Sequence, residues 1–442
     1  MTTGIPVAVI GGGPVGLAAA AHLVERAIPF VLFEAGPDIG ASVSEWGHVQ
    51  FFSPWRYSID PAAARLLAGT GWNPPEDDVH PTGGEIIDRY LRPLAGTPAI
   101  RDHIRLHHRV VAVGRLGMDK LEHGERHERP FAVTVDGPDG RSRYLARAVI
   151  DATGTWDQPN PLGADGFEAL GEDRFGERIT YGIPDVRDAE RSRYAGRRVA
   201  VVGSGHSAQN VVRDLAMLAV SEPNTEITWV LRRSAPGQMF GGGGDDQLPE
   251  RGRLGSDARR LVDSGQVSLV PGFRVDAIDS AEADGVVLRS VEGSVLGPFD
   301  EVVAATGFRP DLSFLRELRL DLDPALESTK TLAPLIDPNV HSCGTVPPHG
   351  ESELRHPETG VYLVGMKSYG RAPSFLLATG YEQVRSVAAY LAGDVESARR
   401  VELVLPETGV CSTDDVQDPA SACCGSPLEV VPAPGGQASC CG

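Results

Sequence analysis

The chain has 442 residues, enough for two or three domains, and its apolar (41%) and aromatic (6%) fractions are typical of a globular protein. Its 60 acidic residues outnumber 41 basic ones, so the formal net charge of −19 argues against nucleic acid or an anionic membrane as a partner. No apolar run approaches the about 18 residues that span a bilayer, and the N-terminus leaves no room for a signal peptide before the first predicted strand. We therefore expect a cytoplasmic protein.

The first predicted unit is a strand, a glycine-rich turn and a helix. An apolar run over residues 6–10 leads into Gly-x-Gly-x-x-Gly, and a helix is predicted over 14–26. Such a turn lets a dinucleotide pyrophosphate rest on the helix N-terminus. The next strand, 30–33, ends at an acidic residue about 20 positions after the glycines, which suits the ribose hydroxyls of FAD or NAD. The predicted cofactor contacts are Gly11, Gly13, Pro14, Gly16 and Glu34.

The next part of the chain contains both helical and strand patterns. Residues 61–95 have a helical pattern with interruptions, and residues 104–150 alternate as short strands. Two Ala-Thr-Gly triplets each end an apolar strand, and we expect the chain to pass between domains there. The triplets supply five further predicted cofactor contacts: Ala152, Thr153, Gly154, Thr306 and Gly307.

A second glycine turn lies between the two triplets. A strand over 198–202 leads into Gly-x-Gly-x-x-Ala, a helix is predicted over 207–220, and the strand 226–231 ends in two arginines instead of an acidic residue. Two guanidinium groups suit the 2′-phosphate of NADPH; the alternative is a solvated surface pair. The predicted contacts are Gly203, Gly205, His206, Ser207, Ala208, Arg232 and Arg233, with His206 on the phosphate side or in packing.

Two such units on one chain predict two bound dinucleotides, a flavin and a nicotinamide. The fold class is therefore α/β, with two Rossmann-like dinucleotide-binding domains. The arrangement resembles that of the two-dinucleotide-domain flavoproteins, which implies that the NADPH domain is inserted into the FAD domain. A final strand and helix over 360–365 and 374–391 complete the FAD domain. The predicted division is 1–178 and 300–400 for the FAD domain, 179–299 for the NADPH domain and 401–442 for a flexible, Cys-rich tail.

The cysteines crowd into that tail. Only Cys343 precedes them, and the surrounding residues are too rich in Pro, Gly, Ser and Asp to form a core. Adjacent cysteines in a reducing compartment suit thiophilic ions better than structural disulfides, and the Cys-x₂-Cys spacing of a zinc ribbon is missing. The alternative is an incidental low-complexity tail. The predicted metal or metalloid ligands are Cys411, Cys423, Cys424, Cys440 and Cys441.

The paired turns and Ala-Thr-Gly strands resemble the two-dinucleotide-domain flavoproteins, and among them the class B flavin monooxygenases. Disulfide reductases carry a redox-active cysteine pair that is absent here before Cys343, and mercuric reductases share only the vicinal cysteines near the C-terminus. A closer resemblance is to the flavoprotein monooxygenases found beside bacterial arsenic-resistance genes. It rests on residues 48–57 (HVQFFSPWRY), 240–249 (FGGGGDDQLP) and 365–375 (GMKSYGRAPSF).

This resemblance implies FAD and NADPH as cofactors, with NADPH reducing FAD and a C4a-hydroperoxide, formed with O₂, oxygenating a soft nucleophile. Two departures stand out. First, no His stands between the aromatic–Gly motif at 181–182 and Gly203, although the family links a His there to the coupling of NADPH oxidation to oxygenation. Second, Gly365 is followed by Met, where the family often has an Asp that helps to bind the flavin. Backbone amides and Arg371 would then contact FAD. The catalytic candidates lie in the aromatic segment 44–60: Ser53 and Arg56 as hydrogen-bond donors and Trp55 as a wall, or all three merely packing around the flavin.

The tail indicates the substrate, because trivalent arsenic prefers two or three thiolates. The sequence therefore predicts an NADPH-dependent flavin monooxygenase of an arsenical or another soft nucleophile, with O₂ as co-substrate. One alternative is oxygenation of an organic amine, thioether or ketone. The other is a metal-handling flavoprotein like mercuric reductase, or a metal-binding module with a thiol tail. Self-association into a homo-oligomer stays open.

Overall fold

The computed structural model describes residues 4–235, 237–241, 248–281, 285–338, 346–373 and 375–403. All six cysteines, including the five predicted ligands of the tail, lie outside these residues. Within the described ranges, no helix combines the length and the apolar character needed to cross a membrane.

Two kinds of sheet and a set of mostly short helices make up the fold. The described strands are β1 (Val7–Ile10), β2 (Phe30–Phe33), β3 (Ile104–Arg105), β4 (Arg109–Arg115), β5 (Phe131–Gly137), β6 (Gly140–Ala146), β7 (Ala148–Asp151), β8 (Ile179–Tyr181), β9 (Arg198–Val202), β10 (Glu226–Val230), β11 (Ser268–Val270), β12 (Val275–Ala281), β13 (Gly285–Ser290), β14 (Val295–Phe299), β15 (Glu301–Ala304) and β16 (Val361–Leu363). The described α-helices are α1 (Pro14–Glu25), α2 (Ala41–Ser44), α3 (Pro61–Ala68), α4 (Gly83–Ile86), α5 (Arg92–Ala95), α6 (Pro98–Arg101), α7 (Arg191–Tyr194), α8 (His206–Ser221), α9 (Pro249–Asp263), α10 (Ala333–Ile336), α11 (Glu351–Leu354), α12 (Leu377–Leu391) and α13 (Val395–Arg399).

The first parallel sheet has the strand order β16-β7-β1-β2-β3. Every residue of β1 and β2 is buried, as expected for apolar strands that are covered on both faces. One face packs in a single apolar cluster with α1, α3 and α12. The predicted strand over 30–33 is confirmed, and the predicted helix over 14–26 ends one residue earlier, at Glu25.

The second parallel sheet has the strand order β11-β10-β9-β15-β8. Helices α8 and α9 pack against β9, β10 and β15 in one apolar cluster. Strand β15 lies between β9 and β8, in register with both. The strand at 301–304 therefore belongs to the second sheet, although the predicted division, which stays a prediction, begins the second part of the FAD domain at residue 300.

Each parallel sheet is covered on its other face by a three-stranded antiparallel sheet. Strands β4, β5 and β6 pack on the first sheet, where Val133 meets the cluster containing Ala8 and Ile10. Strands β12, β13 and β14 pack in the same way on the second sheet. The two halves therefore share one layered plan, in which helices cover one face and a small sheet covers the other.

The chain crosses between the two parallel sheets twice, and the crossing segments pair with each other. One segment follows β7 and the other follows β15. The Asn160 backbone N–H donates to the Gly307 carbonyl oxygen at 2.9 Å, and the indole of Trp156 stacks on Phe308 with ring centroids 4.8 Å apart. The strands of the second sheet are thus inserted between β7 and β16. The predicted α/β fold with an inserted second unit is confirmed.

Candidate active site and cofactor sites

The first glycine turn joins β1 to α1 in a conformation that glycine permits. Gly11 has φ +100°, and a Cβ atom there would stand 2.7 Å from the carbonyl oxygen of Ala152. A Cβ on Gly16 would collide with the Gly11 carbonyl. A Cβ on Gly13 would meet no protein atom within 4 Å, and no side chain caps the helix that begins at Pro14. Open space in front of uncapped helix N–H groups fits a pyrophosphate.

Glu34 closes this turn at the end of β2. Its two carboxylate oxygens accept the backbone N–H groups of Gly12 and Gly36, each at 2.7 Å. The side chain is largely buried. A carboxylate held in this way keeps further lone pairs for ribose hydroxyls. The first turn therefore fits the adenosine and pyrophosphate of FAD.

The second glycine turn repeats this geometry between β9 and α8. Gly203 has φ +139°, and a Cβ there would collide with the carbonyl of Ala305. A Cβ on Gly205 would meet no protein atom within 4 Å, and no side chain caps α8. Ala208 is fully buried under the turn, and the Trp229 indole donates to the Gly203 carbonyl oxygen at 2.7 Å. The second turn fits a second dinucleotide for the same reasons as the first.

The end of β10 carries the opposite charge. Arg232 and Arg233 are both exposed, and the described part of the chain offers Arg232 only a long hydrogen bond, 3.5 Å to the Ala164 carbonyl. Two guanidinium groups standing in solvent fit the 2′-phosphate of NADPH. His206 begins α8, followed by Ser207, and its ring lies 5.1 Å from that of Phe52, which comes from the aromatic segment of the first half.

The Ala-Thr-Gly triplets lie against the glycine turns, because Cβ atoms on Gly11 and Gly203 would collide with the carbonyl oxygens of Ala152 and Ala305. Gly154 and Gly307 both have positive φ angles, +68° and +89°. The Thr306 hydroxyl donates to the Asn160 carbonyl oxygen, so it binds the other crossing segment. Thr153 is exposed, and its hydroxyl donates to Asp151 Oδ1 at 2.8 Å.

The segment after β16 lies beside the start of α1. Gly365 has φ +68°, and a Cβ there would stand 3.2 Å from Val15. The Gly365 N–H donates to Gln383 Oε1 at 2.7 Å. Arg371 forms an ion pair with Glu327 at 3.0 Å. Gly365 therefore lies beside the start of α1, and Arg371 has a protein partner in Glu327. The FAD contacts predicted for these two residues stay predictions.

The three catalytic candidates do not converge. Trp55 is fully buried in the first apolar cluster, and its Nε1 has no hydrogen-bond partner among the described residues. Ser53, two residues before Trp55 in the chain, is also buried. The Arg56 guanidinium pairs with Asp78 at the surface and lies 5.0 Å from the Tyr57 ring. Their predicted roles stay predictions.

The comparison with protein families assigns the chain. The family model described as pyridine nucleotide-disulphide oxidoreductase matches residues 8–343, about three quarters of the sequence. The chain belongs to this family. Membership confirms the prediction of an oxidoreductase with two nucleotide-binding units.

Individual relatives are more distant. The chain is 24% identical over 242 residues to the flavin-containing monooxygenase FMO GS-OX-like 2 of Arabidopsis thaliana, covering 49% of this chain and 48% of the relative. It spans about half the length of the curated relatives it matches.

Solved structures share the fold over most of the chain. The bacillithiol disulfide reductase of Bacillus cereus matches with a TM-score of 0.63 at 20% identity, covering 88% of this chain and 99% of that one. The ornithine N-hydroxylase of Kutzneria sp. 744, solved with reduced FAD, NADP⁺ and ornithine, matches with a TM-score of 0.55 at 18% identity, covering 89% and 98%. The predicted cofactors, FAD and NADPH, agree with the FAD and NADP⁺ bound in this second structure.

The family name refers to a disulfide, yet the described residues contain no cysteine. The five predicted metal ligands of the tail lie outside the described ranges. Within those ranges, no group of three or more His, Cys, Asp or Glu side chains could hold a metal ion. The tail assignment therefore stays a prediction from sequence.

Sequence reasoning missed two charged residues beside the first turn. Lys367 Nζ lies 2.7 Å from Asp151 Oδ2, and both side chains are 0% exposed. A charged residue directly at the end of an apolar strand, as Asp151 is, was the available signal. Its partner could not be identified because it follows another strand far along the chain.

Two buried histidines lie in the segment that precedes β16. Burial lowers the pKa of His349, whose Nε2 lies 2.9 Å from the Gln383 side-chain nitrogen. Burial also lowers the pKa of His356 to about 4. Both rings are therefore neutral at pH 7 and act as packing and hydrogen-bonding groups.

Proposed function

We propose that this oxidoreductase is an NADPH-dependent flavin monooxygenase that oxygenates a soft nucleophile. The observation that carries the proposal is the pair of glycine turns with a carboxylate beside one and two arginines beside the other. FAD and NADPH are its cofactors. The sequence has no cysteine before Cys343, so a redox-active pair in its usual place cannot receive the electrons, which favours O₂ as the acceptor.

The chain's own residues bind and orient the two nucleotides. Glu34 holds the adenosine ribose at the first turn, and the open face of Gly13 lets the pyrophosphate reach the α1 N-terminus. Arg232 and Arg233 select NADPH over NADH at the second turn. Bound FAD supplies hydride acceptance and O₂ chemistry, while the protein supplies alignment and exclusion of water.

The finer proposal is that the substrate is a trivalent arsenical. It rests on the sequence: five of six cysteines lie in residues 411–442, two pairs of them adjacent, and soft metalloids prefer such thiolates. A tethered pair of thiolates raises the local substrate concentration to about the mM range. Removing residues 405–442 should then raise KM for the arsenical more than it lowers the rate at saturation. An unchanged KM would remove the tail from the proposal and leave the monooxygenase intact.

The test is NADPH consumption by the purified, FAD-loaded chain in air, with and without arsenite, combined with arsenic speciation of the product. Arsenite-stimulated turnover that yields arsenate supports reaction and substrate together. Slow, unstimulated consumption that yields only hydrogen peroxide contradicts the arsenical proposal.

A second candidate substrate is an organic amine, thioether or ketone. It is favoured by the relatives, which include a flavin-containing monooxygenase and an ornithine N-hydroxylase. The same assay separates the two, because an organic compound that stimulates NADPH use more than arsenite does favours this candidate. A metal-binding module without turnover would instead bind arsenite or Hg²⁺ tightly and leave NADPH unconsumed. The intact geometry of both turns argues against it.

A further inference from the structure

Two opposite charges are fully buried at the carboxyl end of β7. The Lys367 ammonium lies 2.7 Å from Asp151 Oδ2, and neither side chain has any exposed surface. A buried ammonium has three N–H donors that need partners. Besides Asp151, Lys367 donates to Thr153 Oγ1 at 2.9 Å and lies 4.5 Å from the ring centroid of Phe314. The ammonium charge of Lys367 is therefore stabilised by the Asp151 carboxylate, the Thr153 hydroxyl and the Phe314 ring.

This pair fixes the loop that follows β7. Asp151 Oδ1 accepts the Thr153 backbone N–H at 3.1 Å and the Thr153 hydroxyl at 2.8 Å. The Thr153 hydroxyl therefore donates to Asp151 and accepts from Lys367, and its orientation is fully set. Thr153 itself is exposed, so the buried pair holds a side chain that faces open space.

The same loop touches the first glycine turn. A Cβ on Gly11 would stand 2.7 Å from the Ala152 carbonyl oxygen and 3.1 Å from Thr153 Cα, so the two backbones are in direct contact. Any shift of this loop displaces the turn that fits the pyrophosphate.

Lys367 reaches this loop from a different strand end. It lies in the 3₁₀ helix Gly365–Tyr369, which follows β16. The backbones of the two strands pair up to Leu363 and Asp151, and the Val364 N–H donates to the Asp151 carbonyl oxygen at 2.9 Å. One side chain therefore ties the segment beside α1 to the loop beside the glycine turn.

A buried ion pair adds little stability over a well-packed apolar pair of similar volume, so stability alone does not account for these two charges. We propose that Lys367 is a positioning residue for FAD, which sets, through Asp151 and Thr153, the spacing between the loop after β7 and the segment after β16. The proposal rests on the FAD site of the proposed function, and it is independent of which substrate is oxygenated.

A second buried ion pair lies near the other end of β16 and provides a matched control. Arg115 Nε lies 2.8 Å from Glu358 Oε1, and these side chains are 2% and 0% exposed. Glu358 precedes β16, whereas Lys367 follows it. Arg115→Met removes one of the two buried guanidinium groups that pair with Glu358, the other being that of Arg126. Among the described residues, Arg115 contacts neither glycine turn.

The test is FAD binding to the full-length chain freed of flavin, followed by flavin fluorescence and the visible flavin spectrum. Lys367→Met should raise the FAD Kd by at least about tenfold, whereas Arg115→Met should lower Tm and change the FAD Kd by less than about twofold. Because Lys367 acts through Thr153, the FAD Kd of the double variant Lys367→Met with Thr153→Val should lie within about twofold of the FAD Kd of Lys367→Met alone.

Three results would overturn the proposal: a Lys367→Met Kd within about twofold of the parent, additive effects of the two substitutions, or an equal loss of FAD binding in Arg115→Met. If Lys367→Met does not fold, the charge-free double variant Asp151→Asn with Lys367→Met takes its place, with the same expected rise in Kd. FAD binding is read without turnover, so failure here is distinct from failure of the proposed monooxygenase activity.

Discussion

The two glycine turns are alike in backbone and opposite in charge. In each, the first glycine has a positive φ and faces the carbonyl of the alanine in an Ala-Thr-Gly triplet, and the second glycine faces open space. The strand after the first turn ends at a buried carboxylate that is held by two backbone N–H groups. The strand after the second ends at two exposed guanidinium groups. Glycine therefore sets the shape of a nucleotide site, and the charge one strand later sets which nucleotide fits.

The largest expected effect separates the two roles of glycine within one turn. Gly203→Ala should lower the free energy of unfolding by about 3 kcal/mol, because its φ is +139° and its Cβ would collide with the Ala305 carbonyl. Gly205→Ala places its Cβ in open space and should change stability by less than about 0.5 kcal/mol. Denaturant unfolding of both variants checks this, and equal losses would contradict the geometry of the turn.

The charge at the second turn is the next test. The double substitution Arg232→Ala with Arg233→Ala should raise the Kd for NADPH by about 100-fold, because each charged hydrogen bond contributes about 1.5–3 kcal/mol and the pair is partly redundant. The Kd for NADH should stay within about threefold, since NADH has no 2′-phosphate. An equal loss for both nucleotides would mean that the arginines shape the turn instead of reading the phosphate.

The two parallel sheets also differ in the buried histidines near their strands. The two described histidines whose pKa is lowered, His349 and His356, both lie in the segment that precedes β16 of the first sheet. A folded pKa of about 4 for His356 lies below the ordinary value of 6.5, so the unfolded chain binds the proton first as pH falls. Stability is complete above about pH 6.5 and is lost below it. From pH 7 to pH 5 this one group should cost about 2 kcal/mol.

His356→Gln should therefore flatten the dependence of unfolding free energy on pH between 5 and 7, while His123→Gln, at an exposed position, should leave the slope unchanged. Urea unfolding at several pH values measures both. A slope that persists in His356→Gln would assign the acid sensitivity to another group.

The smallest expected effect concerns the first turn. Glu34→Gln keeps the size of the side chain and removes its charge. Because the amide has one acceptor oxygen, only one of the N–H groups of Gly12 and Gly36 keeps its hydrogen bond, and the remaining bonds weaken. The FAD Kd should rise by about tenfold, with the NADPH Kd unchanged. An unchanged FAD Kd would leave the backbone of the turn as the whole of the FAD site.

Local features were predictable from the sequence, and partnerships across the chain were not. Strands β2 and β9 have the predicted bounds because apolar runs between turn residues define buried strands. The position of β15 in the second sheet depends on tertiary pairing that no local pattern carries, because Glu301 pairs with Val199, which lies 102 residues earlier in the chain.

The same limit applies to the site. Both glycine turns were predictable, because their spacing is local and their function depends on backbone shape. The partners of Arg56 and Arg371, Asp78 and Glu327, come from other segments and were not foreseen. Lys367 was part of a stretch singled out by resemblance, yet its burial against Asp151 depends on two strand ends that meet only in the folded sheet.

The most direct test of the central claim, two separate sites for two different nucleotides, is to measure both dissociation constants in Gly13→Ala and Gly205→Ala. Neither substitution meets a protein atom within 4 Å, so each new methyl group reports on the nucleotide alone. The account predicts that Gly13→Ala weakens FAD binding and leaves NADPH binding unchanged, and that Gly205→Ala does the reverse. Loss of both nucleotides in either variant, or of neither, would contradict it.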